Sequence, residues 1–193
     1  MATHSTSIPV GTPAPPLSLP RADGAGTVSL DDFPDARAFL VVFMCNHCPY
    51  VKAVESAIGA FASEYADKGL VTLGVSANDV GSHPDDSPEH MVEQAQRAGF
   101  DFPYLYDETQ QVARAFGAAC TPDFFLFDAN RRLAYRGQMD DARPGNGVEP
   151  SADDLRTAAD LLLAGDAIPE PHAPSVGCSI KWKPGNEPQG TLI

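Results

Sequence analysis

The stretch Met44-Cys45-Asn46-His47-Cys48-Pro49-Tyr50 decides how the chain is read. Before it runs Ala38-Phe39-Leu40-Val41-Val42-Phe43, short, apolar and rich in β-branched and aromatic residues, the pattern of a buried strand. After it, Val51, Val54, Ile58, Phe61 and Tyr65 recur at helical spacing, and Pro49 suits a first helical turn, where its missing N–H costs nothing. Two cysteines therefore sit at a strand-to-helix junction. The unpaired N–H groups and dipole of a helix start favour negative charge, so a thiolate there is stabilised and becomes nucleophilic near neutral pH. The two-residue gap lets the sulfurs close a small disulfide ring, and an imidazolium at His47 stabilises a neighbouring thiolate. The expectation is that Cys45 attacks and Cys48 resolves. A zinc site would need a second pair of Cys or His ligands, and no other C-x-x-C or C-x-x-H is present. Haem attachment would need histidine directly after Cys48, where Pro49 stands.

Outward from this stretch, the 193 residues suffice for one domain with a sizeable core. The formal net charge of −13 argues against nucleic-acid or anionic-membrane partners. No apolar run reaches membrane-spanning length, and the start lacks a basic region followed by an apolar core, so the expected compartment is the cytoplasm. There a C-x-x-C is catalytic or metal-binding more often than structural. Residues 1–10 read as a flexible, polar lead-in. Leu17-Ser18-Leu19 and Thr27-Val28-Ser29-Leu30 flank a Gly-rich turn and predict a β-hairpin. Leu70 to Ser76 predicts a second buried strand, which makes a βαβ unit with the first. A helix from Pro88, capped by Ser87 and closed by Gly99, precedes a strand over Phe102 to Tyr106. Asp107 reads as the cap of a helix over Glu108 to Phe116. Phe124 to Phe127 and Arg132 to Arg136 predict a strand pair, and the loop from Gly137 to Pro150 reads as partly ordered. Ser151 reads as the cap of a last helix through Leu163. The proline-rich tail, 166–193, holds Cys178 and Trp182 and is expected to pack back on the domain.

With Thr121-Pro122 before a strand, the order of elements and the Cys-Asn-His-Cys motif resemble the thioredoxin superfamily over residues 11–165, an α/β fold with a central mixed sheet flanked by helices. The N-terminal hairpin and the helix–strand insertion from Ser87 to Tyr106 are similar to the peroxiredoxin and TlpA/ResA branch. Cys-Asn-His-Cys-Pro-Tyr, Thr-Pro-Asp-Phe and the tail Gly-Cys-Ser-Ile-Lys-Trp-Lys resemble a peroxiredoxin-like, AhpC/TSA-type redoxin group. The resemblance implies a cis bond before Pro122, with Thr121 and Pro122 contacting substrate and the backbone before the proline pairing with a substrate strand. It implies thiol–disulfide exchange with a disulfide substrate and a recycling reductant, no organic cofactor or metal, and a monomer or homodimer.

The departures bear on chemistry. Peroxiredoxins carry a threonine three residues before the peroxide-attacking cysteine and a proline four before that. Counting from Cys48, Cys45 and Val41 stand there, which weakens the alternative of a hydroperoxide-reducing peroxidase. Thioredoxin's tryptophan before the first cysteine is Met44, and its buried acid falls near Phe39. The acid that the TlpA branch carries after its second cysteine is replaced by Val51 and Lys52. Glu55 is a weak substitute, and both Lys52 and Glu55 read as solvated helix charges. A further alternative is a copper(I) carrier, since soft thiolates suit that ion, but no histidine is obviously placed for it. Cys120 reads as buried and inert or as a third redox thiol, and Cys178 as a second resolving thiol or a partner for Cys120. His83, His90 and His172 read as solvated. The acid pairs Asp85-Asp86, Asp140-Asp141 and Asp153-Asp154 read as solubilising charge, with Arg143 near the rim of the site.

Overall fold

The computed structural model describes residues 2–188. At its centre lies β4 (Ala38–Phe43), every residue of which is buried. Ala38, Leu40 and Val42 point to one face, joined by Val51, Val54, Ile58, Phe61 and Tyr65 of α1 (Pro49–Ala66). Phe39, Val41 and Phe43 point to the other, against Leu17, Leu30, Phe116, Phe125 and Ile180. A strand covered on both faces has no need of polar alternation, which is why its sequence is a continuous apolar run.

Five strands form the main sheet in the order β6-β5-β4-β8-β9. β5 (Leu70–Ser76) and β6 (Tyr104–Tyr106) run parallel to β4, β8 (Asp123–Asp128) pairs antiparallel with β4, and β9 (Leu133–Gly137) pairs antiparallel with β8. The hairpin of β2 (Ser18–Pro20) and β3 (Thr27–Ser29) closes the β6 edge, where Ala22 N donates to Tyr104 O at 2.9 Å. α2 (Pro88–Ala98) ends on Gly99, whose φ of 69° is the left-handed conformation that suits glycine.

Three starts differ from the sequence reading. β6 begins after Pro103, which has no N–H to give and instead offers its carbonyl to Gly74 N at 3.0 Å. α3 (Gln111–Phe116) begins three residues later than expected. Asp107 Oδ2 reaches forward to Ala113 N at 2.8 Å, and Gln110, at φ 63°, turns aside to bond Ala77 O and Lys181 O. α4 (Asp153–Ala164) is not capped by Ser151. Asp140 Oδ2 accepts from Ser151 N at 2.9 Å and Ala152 N at 2.7 Å, a cap supplied from the preceding loop. Asp140 is consequently buried, not solvated, and the loop expected to be only partly ordered is tied down at this end.

A second, three-stranded sheet has the order β1-β10-β7. β1 (Ala2–His4) lies in the stretch read as a flexible lead-in; it pairs antiparallel with β10 (Val176–Ser179), a backbone contact to which its polar side chains gave no clue. β10 pairs in turn with β7 (Cys120–Thr121), placing Cys178 opposite Thr121 and Ser179 opposite Cys120. The end of the expected tail, 189–193, lies outside the described residues. Gly177 lets β10 come this close, because a Cβ there would stand 2.0 Å from Thr121 O. Gly177→Ala is therefore expected to lower stability by about 1–3 kcal/mol, as overpacking against backbone does, seen as a lower midpoint in chemical denaturation. An unchanged midpoint would show that the strand yields freely.

Candidate active site

Cys45 follows the C-terminal end of β4, and Cys48 is the residue on which α1 starts, with Pro49 in the first turn. The bond between Thr121 and Pro122 is cis. Thr121 meets both cysteines: its hydroxyl lies 3.4 Å from Cys45 Sγ, and its carbonyl lies 3.2 Å from Cys48 Sγ, placed to accept from that sulfur whenever it carries a proton. All four cysteines are free thiols, and Cys45 and Cys48 have no solvent exposure.

Each sulfur is the largest influence on the other's titration, which therefore belongs to the pair. One proton leaves easily. Cys48 is lowered to about 4, first by the thiol of Cys45 and then, against the cost of burial, by Thr121, the Val51 N–H in the first turn of α1, and Cys178. The second proton is held hard. Cys45 is pushed well up by its bond to Cys48, by burial and by the carboxylate of Asp86. The resting pair carries one negative charge and one proton.

Asp86 is the residue that sequence reasoning missed. It belongs to an acid pair read as solubilising, yet it is completely buried. It accepts from His47 N at 2.9 Å, from His47 Nδ1 at 2.5 Å and from Asn78 Nδ2 at 2.8 Å. Asp85 next to it is exposed, and 39 residues separate Asp86 from His47, so nothing local marks it. His83, read as solvated, stacks on His47 with ring centroids 5.0 Å apart. His90 is half-buried, bonded to Ser87 and Pro84 O, and the half-buried His172 accepts from Arg136 N. His47 Nδ1 stands 3.9 Å from Cys45 Sγ. The same nitrogen faces Asp86, so the three do not form a relay in which opposite ring nitrogens serve nucleophile and acid.

Glu55 is also buried rather than solvated. It binds Gln94 Nε2 at 3.0 Å and Arg97 Nε at 2.8 Å, and Gln94 Nε2 reaches the carbonyl of Cys45 at 3.4 Å. Lys52 is exposed. Glu55 is thus a brace between α1 and α2 that fixes the backbone carrying Cys45.

Cys45 Sγ, His47 Nδ1 and an Asp86 oxygen lie within 4.8 Å of one another, a mixed set of donors that could face a metal. Donors around a tetrahedral ion at about 2.0–2.3 Å stand more than about 3 Å apart. The 2.5 Å between His47 Nδ1 and Asp86 Oδ2 is instead the spacing of a direct hydrogen bond. A metal would have to break that bond and take Asp86 from Asn78.

Cys120 and Cys178 separate sharply. Cys120 is buried, its sulfur 3.5 Å from Pro122 O and 3.9 Å from Ser175 O, and burial with the nearby Asp123 carboxylate pushes its thiol far up. Neighbours along a strand face opposite sides, so Cys120 points away from the face that Thr121 shares with Cys178. Cys178 is half-buried and packs on the cluster that contains Cys45 and Cys48. The backbone that the resemblance assigns to a substrate strand is paired here with the chain's own β10. Beside Pro122 a small cavity of 20 Å³ is lined by Tyr50, Met139, Arg143 and Val176, which puts Arg143 at the edge of the site.

A profile of the AhpC/TSA family matches residues 10–136. A solved structure of a hypothetical protein from Sinorhizobium meliloti 1021 is 45% identical with a TM-score of 0.92, covering 95% of this chain and 100% of its own. A Mycobacterium tuberculosis protein with a provisional peroxiredoxin name is 28% identical over 116 residues, 60% of this chain and 68% of its own. A structure from Chlorobium tepidum, provisionally named a thiol:disulfide interchange protein of the DsbE type, matches with a TM-score of 0.64 at 20% identity, over 81% of this chain and 99% of its own, and shares the thioredoxin fold. Among the described residues no helix is long and apolar enough to cross a membrane.

Proposed function

This chain belongs to the AhpC/TSA family, and from that premise we propose that it is a dithiol oxidoreductase that reduces disulfides through Cys45 and Cys48. The observation that carries the reading is geometric: two sulfurs against the hydroxyl and carbonyl of Thr121 at the start of a helix, with Cys48 lowered and Cys45 raised. Cys45 passes its proton to the Cys48 thiolate as it attacks a substrate disulfide, and half of the substrate leaves as thiolate. The Cys48 thiol, held against Thr121 O, then attacks Cys45 Sγ. The remaining substrate sulfur leaves with the Cys48 proton, and a Cys45–Cys48 disulfide stays on the protein for a thiol reductant to reopen. No metal or organic cofactor enters these steps. His47 and Asp86 position the Cys45 loop. Because both sulfurs are buried, a substrate reaches them only when the chain around them opens.

Insulin disulfide reduction with dithiothreitol as reductant tests this. Cys45→Ser and Cys48→Ser should each fall to background. Thr121→Val, which removes the hydroxyl bond to Cys45 Sγ, worth about 0.5–1.5 kcal/mol, should lose about 2–10-fold in kcat/KM while remaining folded. Full activity in Cys45→Ser would end the reading.

A second reading is a thiol peroxidase. The threonine hydroxyl absent from the peroxiredoxin position is supplied across the site by Thr121, 3.4 Å from Cys45 Sγ. A thiolate there would take one oxygen from a hydroperoxide, leave an alcohol, and be resolved by the other cysteine with loss of water. Hydroperoxide consumption faster than insulin reduction by the same preparation would favour it.

A further inference from the structure

We infer that Cys178 is a third redox thiol, delivered by strand β10 to Cys48, and that it exchanges with the Cys45–Cys48 disulfide. The inference rests on the proposed dithiol chemistry and goes beyond it.

β10 is held in place along its whole length. It pairs with β1 on one side and β7 on the other. Ser175 bonds Ser5 Oγ at 3.0 Å and Gly137 O at 2.7 Å before it. After it, Lys181 N donates to Asn78 Oδ1 at 2.8 Å and Lys181 O accepts from Asp79 N at 2.8 Å. The register sets Cys178 directly opposite Thr121, the residue whose carbonyl holds Cys48. Directly opposed residues on adjacent strands present their side chains to the same face. On that face Cys178 packs on the cluster containing Cys45 and Cys48, and β10 packs against α1. Gly177 removes the side chain that would keep the strand away. Asn78 links this strap to the site, because its amide also holds Asp86.

The contact is chemical as well as steric. The Cys178 thiol is among the groups that lower Cys48. Cys178 itself is pushed up to about 11, first by burial and then by the neighbouring Cys48 sulfur. In the Cys45–Cys48 disulfide Cys48 bears no charge, so the second cause vanishes and Cys178 ionises more readily when it is needed. Its thiolate attacks Cys48 Sγ. The Cys45–Cys48 bond breaks as the Cys48–Cys178 bond forms, and Cys45 leaves as a thiolate that takes up the proton given by Cys178. No electron enters or leaves, and the only oxidant required is the disulfide that the dithiol has already reduced. The product is an oxidised protein whose tail is bonded to the start of α1 and whose Cys45 is again a thiol.

The test is disulfide mapping by mass spectrometry of the full chain, oxidised by diamide, alkylated and digested without reductant. Wild type should give both Cys45–Cys48 and Cys48–Cys178 peptides, and Cys178→Ser only the first. Cys45→Ser, checked for native circular dichroism, should give Cys48–Cys178 in most molecules. A wild-type digest with Cys45–Cys48 alone, together with Cys45→Ser leaving Cys178 unpaired, overturns this inference and spares the functional reading. A wild-type digest with neither a Cys45–Cys48 nor a Cys48–Cys178 peptide overturns both.

Discussion

Arg136→Met is expected to lose about 3–5 kcal/mol of folding stability at pH 7, the cost of stranding a buried charge. Arg136 and Asp123 have side chains only 3% and 0% exposed, with Nη2 to Oδ2 at 3.0 Å. The guanidinium also bonds Gly117 O at 2.8 Å and Thr6 Oγ1 at 3.1 Å and lies 4.4 Å over the ring of Phe125. Burial pushes the Asp123 carboxyl up, and Arg136 is the largest influence pulling it back. Without Arg136 the folded protein takes up a proton at Asp123 that the unfolded chain, with an ordinary carboxyl near ~3.9, does not hold. Where the folded state binds the extra proton, stability falls as pH rises, by about 1.4 kcal/mol per unit. The penalty of Arg136→Met is therefore greatest at neutral pH and shrinks as pH falls toward about 4. Adding Asp123→Asn removes the charge and should recover most of the loss. Denaturant titrations at pH 7 and pH 5 read both effects; a loss under about 1 kcal/mol at pH 7 would show that the pair is not needed. The site shares the consequence, since Asp123 follows Pro122 and its Oδ2 accepts from Ala119 N at 3.1 Å, bracing the segment that carries Thr121.

What could be read from the sequence was what local pattern controls. β4 and β5 announced themselves because burial on both faces demands continuous apolar runs, and α1 because Pro49 and the apolar spacing agree. The residues that failed to announce themselves owe their roles to distant partners. Asp86 and Asp85 are chemically identical; only the backbone and ring of His47 make one a buried acceptor. Glu55 looks solvated until α2 brings Gln94 and Arg97 against it. The caps of α3 and α4 are carboxylates lying outside the usual capping position, Asp107 and Asp140, so local signals placed those starts wrongly. β1 is three residues long and pairs with a strand more than 170 residues away, a contact that composition cannot encode. The sequence left open whether Cys120 or Cys178 joins the pair; the alternation of a two-residue strand puts Cys178 on Thr121's face and turns Cys120 away.

The Cys45–Cys48 couple should show a potential that falls by only about 30 mV per pH unit between pH 5 and pH 8, half the slope of an ordinary dithiol. Reducing a disulfide takes up two electrons and as many protons as the product thiols hold, and for a two-electron couple each proton contributes about 30 mV per unit. Two ordinary thiols hold two protons up to about pH 8 and give a slope near −59 mV. Here Cys48 releases its proton at about 4 and Cys45 keeps its own well beyond the ordinary range, so a single proton accompanies the electrons across the neutral region. The sign follows: raising pH favours a disulfide over thiols by pulling protons away, and a reduced form that already lacks one is penalised half as much. A thiolate so stabilised also makes the reduced form the better partner, which puts the potential above roughly −270 mV, that of thioredoxin. Rate of alkylation alone is a poor readout, because a thiolate of low pKa is also a weaker nucleophile. The titration midpoint, followed by thiolate absorbance, is the clean one. It should lie near 4 in wild type and rise in Cys45→Ser, since the Cys45 thiol is the largest cause of the lowering. A slope near −59 mV persisting to pH 8, with one midpoint in the ordinary thiol range, would mean that the proton is not shared, and the argument for a poised dithiol would lose its footing.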